Sequence, residues 1–311
     1  MVVLLTMTGP RAPIPAEPAD HPLRAALLRG DERYARSGPA LHRILSAPER
    51  SLVSEAVVAQ VSGMLSHLAE QFLSADGSSA DPARIEAVTD RLLEVDALRD
   101  HCQALALEWR FAVRLEAELA VDPVLSPLLQ TLVAHTDSGV GAIAMAVLAA
   151  QARFAQSQRR MQLPVAELPA ELFHAAAMAV RDPSIEWNDG ERLEARLRAG
   201  YEEGAGRLAL LGRLVRAADA IPAPMPAIEH AGVALWLTAL AVRSGQERDR
   251  TACAAVDPLL GRLLLTLRAA GVAAPEAERQ ALQVQPDAVL PRGLQDVGTR
   301  EAAQWLADAQ S

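Results

Sequence analysis

The sequence predicts an all-α fold, and three observations carry that expectation. Half of the 311 residues are apolar and only 3% are aromatic, and Ala, Leu, Arg and Glu, all helix formers, dominate the chain. Apolar residues recur at steps of three and four along most of its length, the period of a single helix face. No stretch alternates apolar and polar residues as a half-buried strand does. The layout is either stacked helical hairpins or an irregular multi-helix bundle.

Residues 1–21 form a flexible proline-rich leader, and residues 22–311 a continuous helical body. A first helical stretch covers residues 23–29. Ser46 and Glu49 have the spacing of a capping box, which opens a helix with Val53, Val57, Val61, Met64, Leu68 and Phe72 on one face. A Gly/Ser loop ends it. Asp81-Pro82 opens the next helix, since proline loses no bond in a first turn. The pattern continues to about Leu119, broken near Asp96 to Asp100, with Leu107, Phe111, Leu115 and Leu119 as a stripe. Asp122-Pro123 opens a helix through Val133 with Leu125, Leu128, Leu129 and Leu132 inward.

Residues 140–160 read as a central helix, apolar nearly all round in its first half. A two-proline turn at 163–169 precedes a helix over 170–181, and residues 182–190 form a polar loop. Asn188 and Glu191 repeat the capping-box spacing for a helix to about Ala220. Gly200, Gly204 and Gly206 lie inside it, so either it breaks near Glu203 or another backbone packs closely there. After the rigid segment 221–226 come helices to Val242, from Gln246, over 258–270, from Pro275 and from Thr299. The body divides, if at all, near 182–190 or 221–227.

Two segments echo each other. VDPVLSPLLQTL (121–132) and VDPLLGRLLLTL (256–267) agree at Val, Asp, Pro, four leucine or threonine positions and the final leucine, and RDPSI (181–185) repeats the opening alone. Asp accepts from free N–H groups, Pro sets the first turn and paired leucines dock inward. On these openings and the Leu/Ala-rich helix pairs, the middle and C-terminal thirds resemble HEAT-like helical-repeat proteins, bacterial ones among them. The chain departs from that pattern in lacking a fixed repeat length and the Val-Arg pair after Asp-Pro. The resemblance implies a HEAT-like superhelix that serves as a protein-binding scaffold.

The net charge of −9 and the absence of lysine, all thirty basic residues being arginine, argue against general nucleic-acid binding. Two cysteines exclude a disulfide framework and suit a reducing compartment. MVVLLTM at the start lacks the positive charge of a secretory signal, and the apolar runs 139–150 and 231–242 fall short of the ~20 residues of a membrane span. The expectation is a soluble cytoplasmic protein.

Chemistry-bearing patterns are sparse. Glu171 and His174, at i and i+3, form half of a di-iron ligand set, with Glu70 and His67 in reversed order elsewhere. His67, at the edge of an apolar stripe, has the placement of a histidine phosphotransfer residue. Asp96 and Asp100 stand one turn apart as a Mg²⁺ pair would. Gly139-x-Gly141-x-x-Ala144 imitates a dinucleotide loop without the strand that such a loop requires. None completes a catalytic, cofactor or metal set. The reading is therefore a non-enzymatic protein that binds a protein partner, through a surface of Trp187, Arg192, Tyr201, Arg159 and Arg160. The alternatives are a metal-binding bundle or enzyme built on Glu171 and His174, and phosphotransfer through His67.

Overall fold

Every regular element is a helix in the computed structural model, which describes residues 21–46, 54–74, 81–181, 195, 198–217 and 226–309. The leader to residue 20, the loop 182–190, Asn188 with Glu191, and residues 221–225 lie outside the described residues.

Helix α1 (Pro22–Ser46) runs well past the expected end at Arg29, and Ser46 is its last residue, not the cap of the next helix. Pro48 and Glu49 of the expected capping box lie outside the described residues. Helix α2 (Glu55–Leu73) begins instead after Ser54 and buries Val57, Val61, Met64, Leu68 and Phe72 as its period predicts. Asp81 caps α3 (Pro82–Glu94) by accepting from the Ala83 N–H, and Val95 alone separates α3 from α4 (Asp96–Leu119).

At the echoed segments the expected Asp-Pro openings are displaced. The Asp122 carboxylate accepts from the N–H groups of Val124 and Leu125, which closes a turn that leaves Leu125 exposed. Helix α5 (Pro127–Val133) starts only at the next cap, where Ser126 Oγ accepts from the Leu129 N–H. Helix α6 (Ser138–Arg159) is capped by Asp137. It is two-sided, with Val140, Ala144, Val147 and Ala150 buried while Ala142, Met145 and Ala149 face outward, so it is not a central helix. By length and composition α6 is also long and apolar enough to cross a membrane, because its helix continues beyond the apolar run.

Helix α7 (Ala170–Val180) follows the two-proline turn. The glycine-rich stretch does break: a 3-10 turn at Glu203–Ala205 leads into α8 (Arg207–Arg216). The remaining helices are α9 (Ile228–Ser244), α10 (Arg248–Val256), α11 (Gly261–Ala269), α12 (Ala274–Val284) and α13 (Thr299–Asp308). Asp257 again closes a turn, through the Leu259 N–H, so α11 starts three residues after Pro258.

Two apolar interiors result. The smaller gathers α2, α3, the first half of α4, the end of α6 and α7. The larger gathers the start of α1, the second half of α4, α5, the first half of α6 and α8 to α13. In a stack each repeat touches only its neighbours. Here α1 lies on α11, α4 on α10, and the His21 ring sits 5.0 Å from that of Trp305 in α13. The packing is that of an irregular multi-helix bundle. Trp236 of α9 is fully buried in the larger interior, and its indole N–H donates to Gln280 of α12 at 3.0 Å.

Candidate functional site

Helix α4 passes through both interiors, and His101 and Glu108, seven residues apart, share one of its faces. That face meets the start of α10, where Arg248 and Asp249 are adjacent. The contact forms a polar seam. Each Glu108 oxygen accepts from both Arg207 of α8 and Arg248, at 2.7–2.9 Å. Arg207 donates further to Gln151 of α6 at 3.0 Å, and its guanidinium lies 3.6 Å from the Phe154 ring centroid. Arg248 donates to Thr238 Oγ1 at 2.9 Å.

Glu108 is 2% exposed. Burial by itself would raise its pKa, but the two guanidiniums and their hydrogen bonds hold the carboxyl well below the usual carboxylate range. Arg248 is pushed the other way: burial disfavours its charge, and Glu108 more than restores it. Arg207 and Arg248 are matched by two acidic side chains, Glu108 between them and Asp249, which also favours the charge on Arg248.

A cleft of about 480 Å³ opens above the seam. Its floor holds His101, Leu105, Phe154 and Arg207, and its walls carry Arg153, Arg160, Ser157, Glu167 and Glu202. Volume, position between two packed bodies and a few convergent polar groups are the features of a ligand site. His101 is 2% exposed; its Nδ1 lies 2.6 Å from Asp249 Oδ2, and its Nε2 has no partner among the described residues. Glu167 accepts from the Arg207 backbone N–H at 2.6 Å and approaches Arg153 at 3.9 Å.

A second cleft of about 210 Å³ lies between α1 and α10 and is lined by Tyr34, Arg250 and Cys253. Its charged walls are tied to each other, Arg262 to Asp31 at 2.6 Å and Arg33 to Asp257 at 3.2 Å. Burial pushes the Cys253 and Cys102 thiols up, with Asp249 adding to both, so neither supplies a thiolate.

The expected surface is partly assembled. Arg160 lines the large cleft, and Gly200 and Glu202, which flank Tyr201, do so as well. Tyr201 itself braces the fold, with its ring stacked on Phe173 at 4.4 Å and its hydroxyl donating to the Leu168 carbonyl at 2.7 Å. Arg159 turns away, over the Trp109 ring at 5.7 Å. Trp187 and Arg192 lie outside the described residues.

The alternative candidates are scattered. Glu171 and His174 stand on the exposed side of α7, with Arg198 3.5 Å from His174 Nδ1. Among the described residues no three His, Cys, Asp or Glu side chains gather as a metal site would require. His67 Nδ1 lies 2.9 Å from both the Leu163 carbonyl and Gln71 Nε2, which ties α2 to the turn after α6. Asp96 and Asp100 flank the buried Arg99 as its ion-pair partners, at 2.8 and 3.4 Å. Gly139 and Val140 donate to the Asp137 cap, so this glycine pair opens a helix and follows no strand.

Sequence reading missed Glu108, Arg207, Arg248, His101 and Asp249. The only local signal was a charged residue within an otherwise buried stretch, as at Glu108 between Ala106 and Trp109. Comparison of the chain with protein-family models, with curated proteins and with solved structures finds no match in any of the three.

Proposed function

We propose that the protein works by binding another protein, and that it does so at the large cleft, whose arginine rim takes an acidic segment of the partner. One observation carries the reading: Arg153 and Arg160, both exposed near the C-terminal end of α6, border the same cleft. A guanidinium offers a rigid fork of donors suited to carboxylates.

Quantitative co-purification tests this with three baits: the wild-type chain, R159A, and the double variant R153E/R160E. A stoichiometric protein retained by wild type and R159A and lost with the double reversal is the expected result. No such protein, or one that the reversed rim retains equally, removes the reading.

A further inference from the structure

Among the described residues, the His101 ring on the cleft floor has a buried nitrogen without a hydrogen-bond partner. Asp249 fixes the His101 ring through Nδ1, so the free nitrogen is Nε2, on the other side of Cε1. A buried polar group without a hydrogen bond is unfavourable. Asp249 itself does not line the cleft, whereas His101 does, with Arg207 beside it on the same floor. In the seam below, Arg207 and Arg248 share Glu108, and Asp249 stands beside Arg248.

We propose that the cleft floor is a binding site for a single carboxyl group, held by His101 Nε2 and by Arg160 of the cleft wall. The match is chemical. With Nδ1–H given to Asp249, a neutral imidazole accepts at Nε2 from a carboxylic acid, and an imidazolium donates there to a carboxylate. In both forms one proton lies between the carboxyl oxygen and Nε2. A dianion suits the site less, because Glu167 and Glu202 line the same walls and repel a second negative charge. The carboxyl group comes either from a free small acid or from a Glu or Asp side chain of a bound segment. The inference rests on reading the cleft as the recognition surface.

Imidazole ¹⁵N spectroscopy of the full chain with labelled histidine tests it. The His101 signals are assigned from H101Q or, if that variant does not fold, by elimination with variants of the other six of the seven histidines. The probes are propionate, a capped Ala-Glu-Ala peptide, and their neutral counterparts propionamide and capped Ala-Gln-Ala.

The expected result is a saturable shift of His101 Nε2 with at least one acid, and binding at least about tenfold weaker for its amide. R160A weakens the acid, and R159A leaves it unchanged. A response to propionate identifies a free-acid site, and a response to the glutamate peptide alone identifies a side-chain site. If neither acid moves His101 at millimolar concentration, or if amides bind as well as acids, the proposal is overturned. Should that happen while partner capture still depends on Arg153 and Arg160, the floor site fails alone. Loss of both results removes the cleft as the recognition surface.

Discussion

In the larger interior, α11 comes against the backbone of α1 because Gly261 has no side chain; at the seam, α8 and α10 are drawn to α4 by charge. A Cβ on Gly261 would lie 2.5 Å from the Leu27 nitrogen and 2.6 Å from the Ala26 carbonyl carbon. The echoed segment reverses the arrangement. Ser126 occupies the position equivalent to Gly261, and the small partner is Gly232 of α9, where a Cβ would lie 2.6 Å from Ser126 Cβ. Both segments carry a threonine, Thr131 or Thr266, that donates to the carbonyl four residues back, although α11 starts one position earlier than α5 and follows Leu260 at a φ of +57°. The pattern Val-Asp-Pro therefore specifies a turn and a helix, while one glycine, on either side of the contact, decides which helix may approach.

The largest expected effect tests whether the seam is as electrostatic as the turns are steric. E108Q removes the carboxylate that two buried guanidiniums share, and denaturant unfolding should show a loss of about 3–5 kcal/mol. Because Glu108 is held below its unfolded pKa, its contribution is present above the ordinary carboxylate range and is lost as pH falls through the native value. Wild-type stability should decline in acid more steeply than that of E108Q. Parallel pH profiles would place the seam among the steric contacts.

G232A comes next. Its φ of +72° with ψ of 157° is a combination that only glycine adopts readily, so alanine there is strained, and the Ser126 contact adds about 1–3 kcal/mol. S126G should recover the second part only, since replacing that cap by glycine costs a few tenths of a kcal/mol or so. G261A should lose about 1–3 kcal/mol, and here A26G should recover little, because the opposing atoms include backbone. Equal rescue at both sites would erase the distinction between the echoes. The smallest effect is expected for R159A, about 0.5–1 kcal/mol from the contact over Trp109, with the cleft unaltered.

Elements whose signals are local were legible in the sequence. Asp81-Pro82 starts α3, the steps of three and four in α2 mark its buried face, and the glycines at 200–206 announce a break. Errors at the Asp-Pro openings have a local cause too: an Asp carboxylate that accepts two and three residues ahead closes a turn, and the helix waits for the next cap. The site was hidden for another reason. His101 meets Asp249 across 148 positions, and Glu108 meets Arg248 across 140. Within α4 they read as ordinary polar residues of an amphipathic helix, and nothing in that helix says that its polar stripe would be covered. Arg160, placed at a helix end by its own sequence, was the one cleft residue among Arg159, Arg160 and Tyr201, the expected residues that are described.

Helices α4 and α6 serve both interiors, and this has a bearing on synthesis. When the chain has emerged as far as α7, the smaller interior has nearly all of its helices, but the larger one has only the walls that α1, α4, α5 and α6 provide. Those bare walls must wait for α8 to α13, so the nascent protein passes through a stage in which a greasy half-shell faces the crowded medium. A ribosome pause in that window exposes the chain to chaperones or to aggregation, and the half-shell is filled only when the last helix, α13, has joined it.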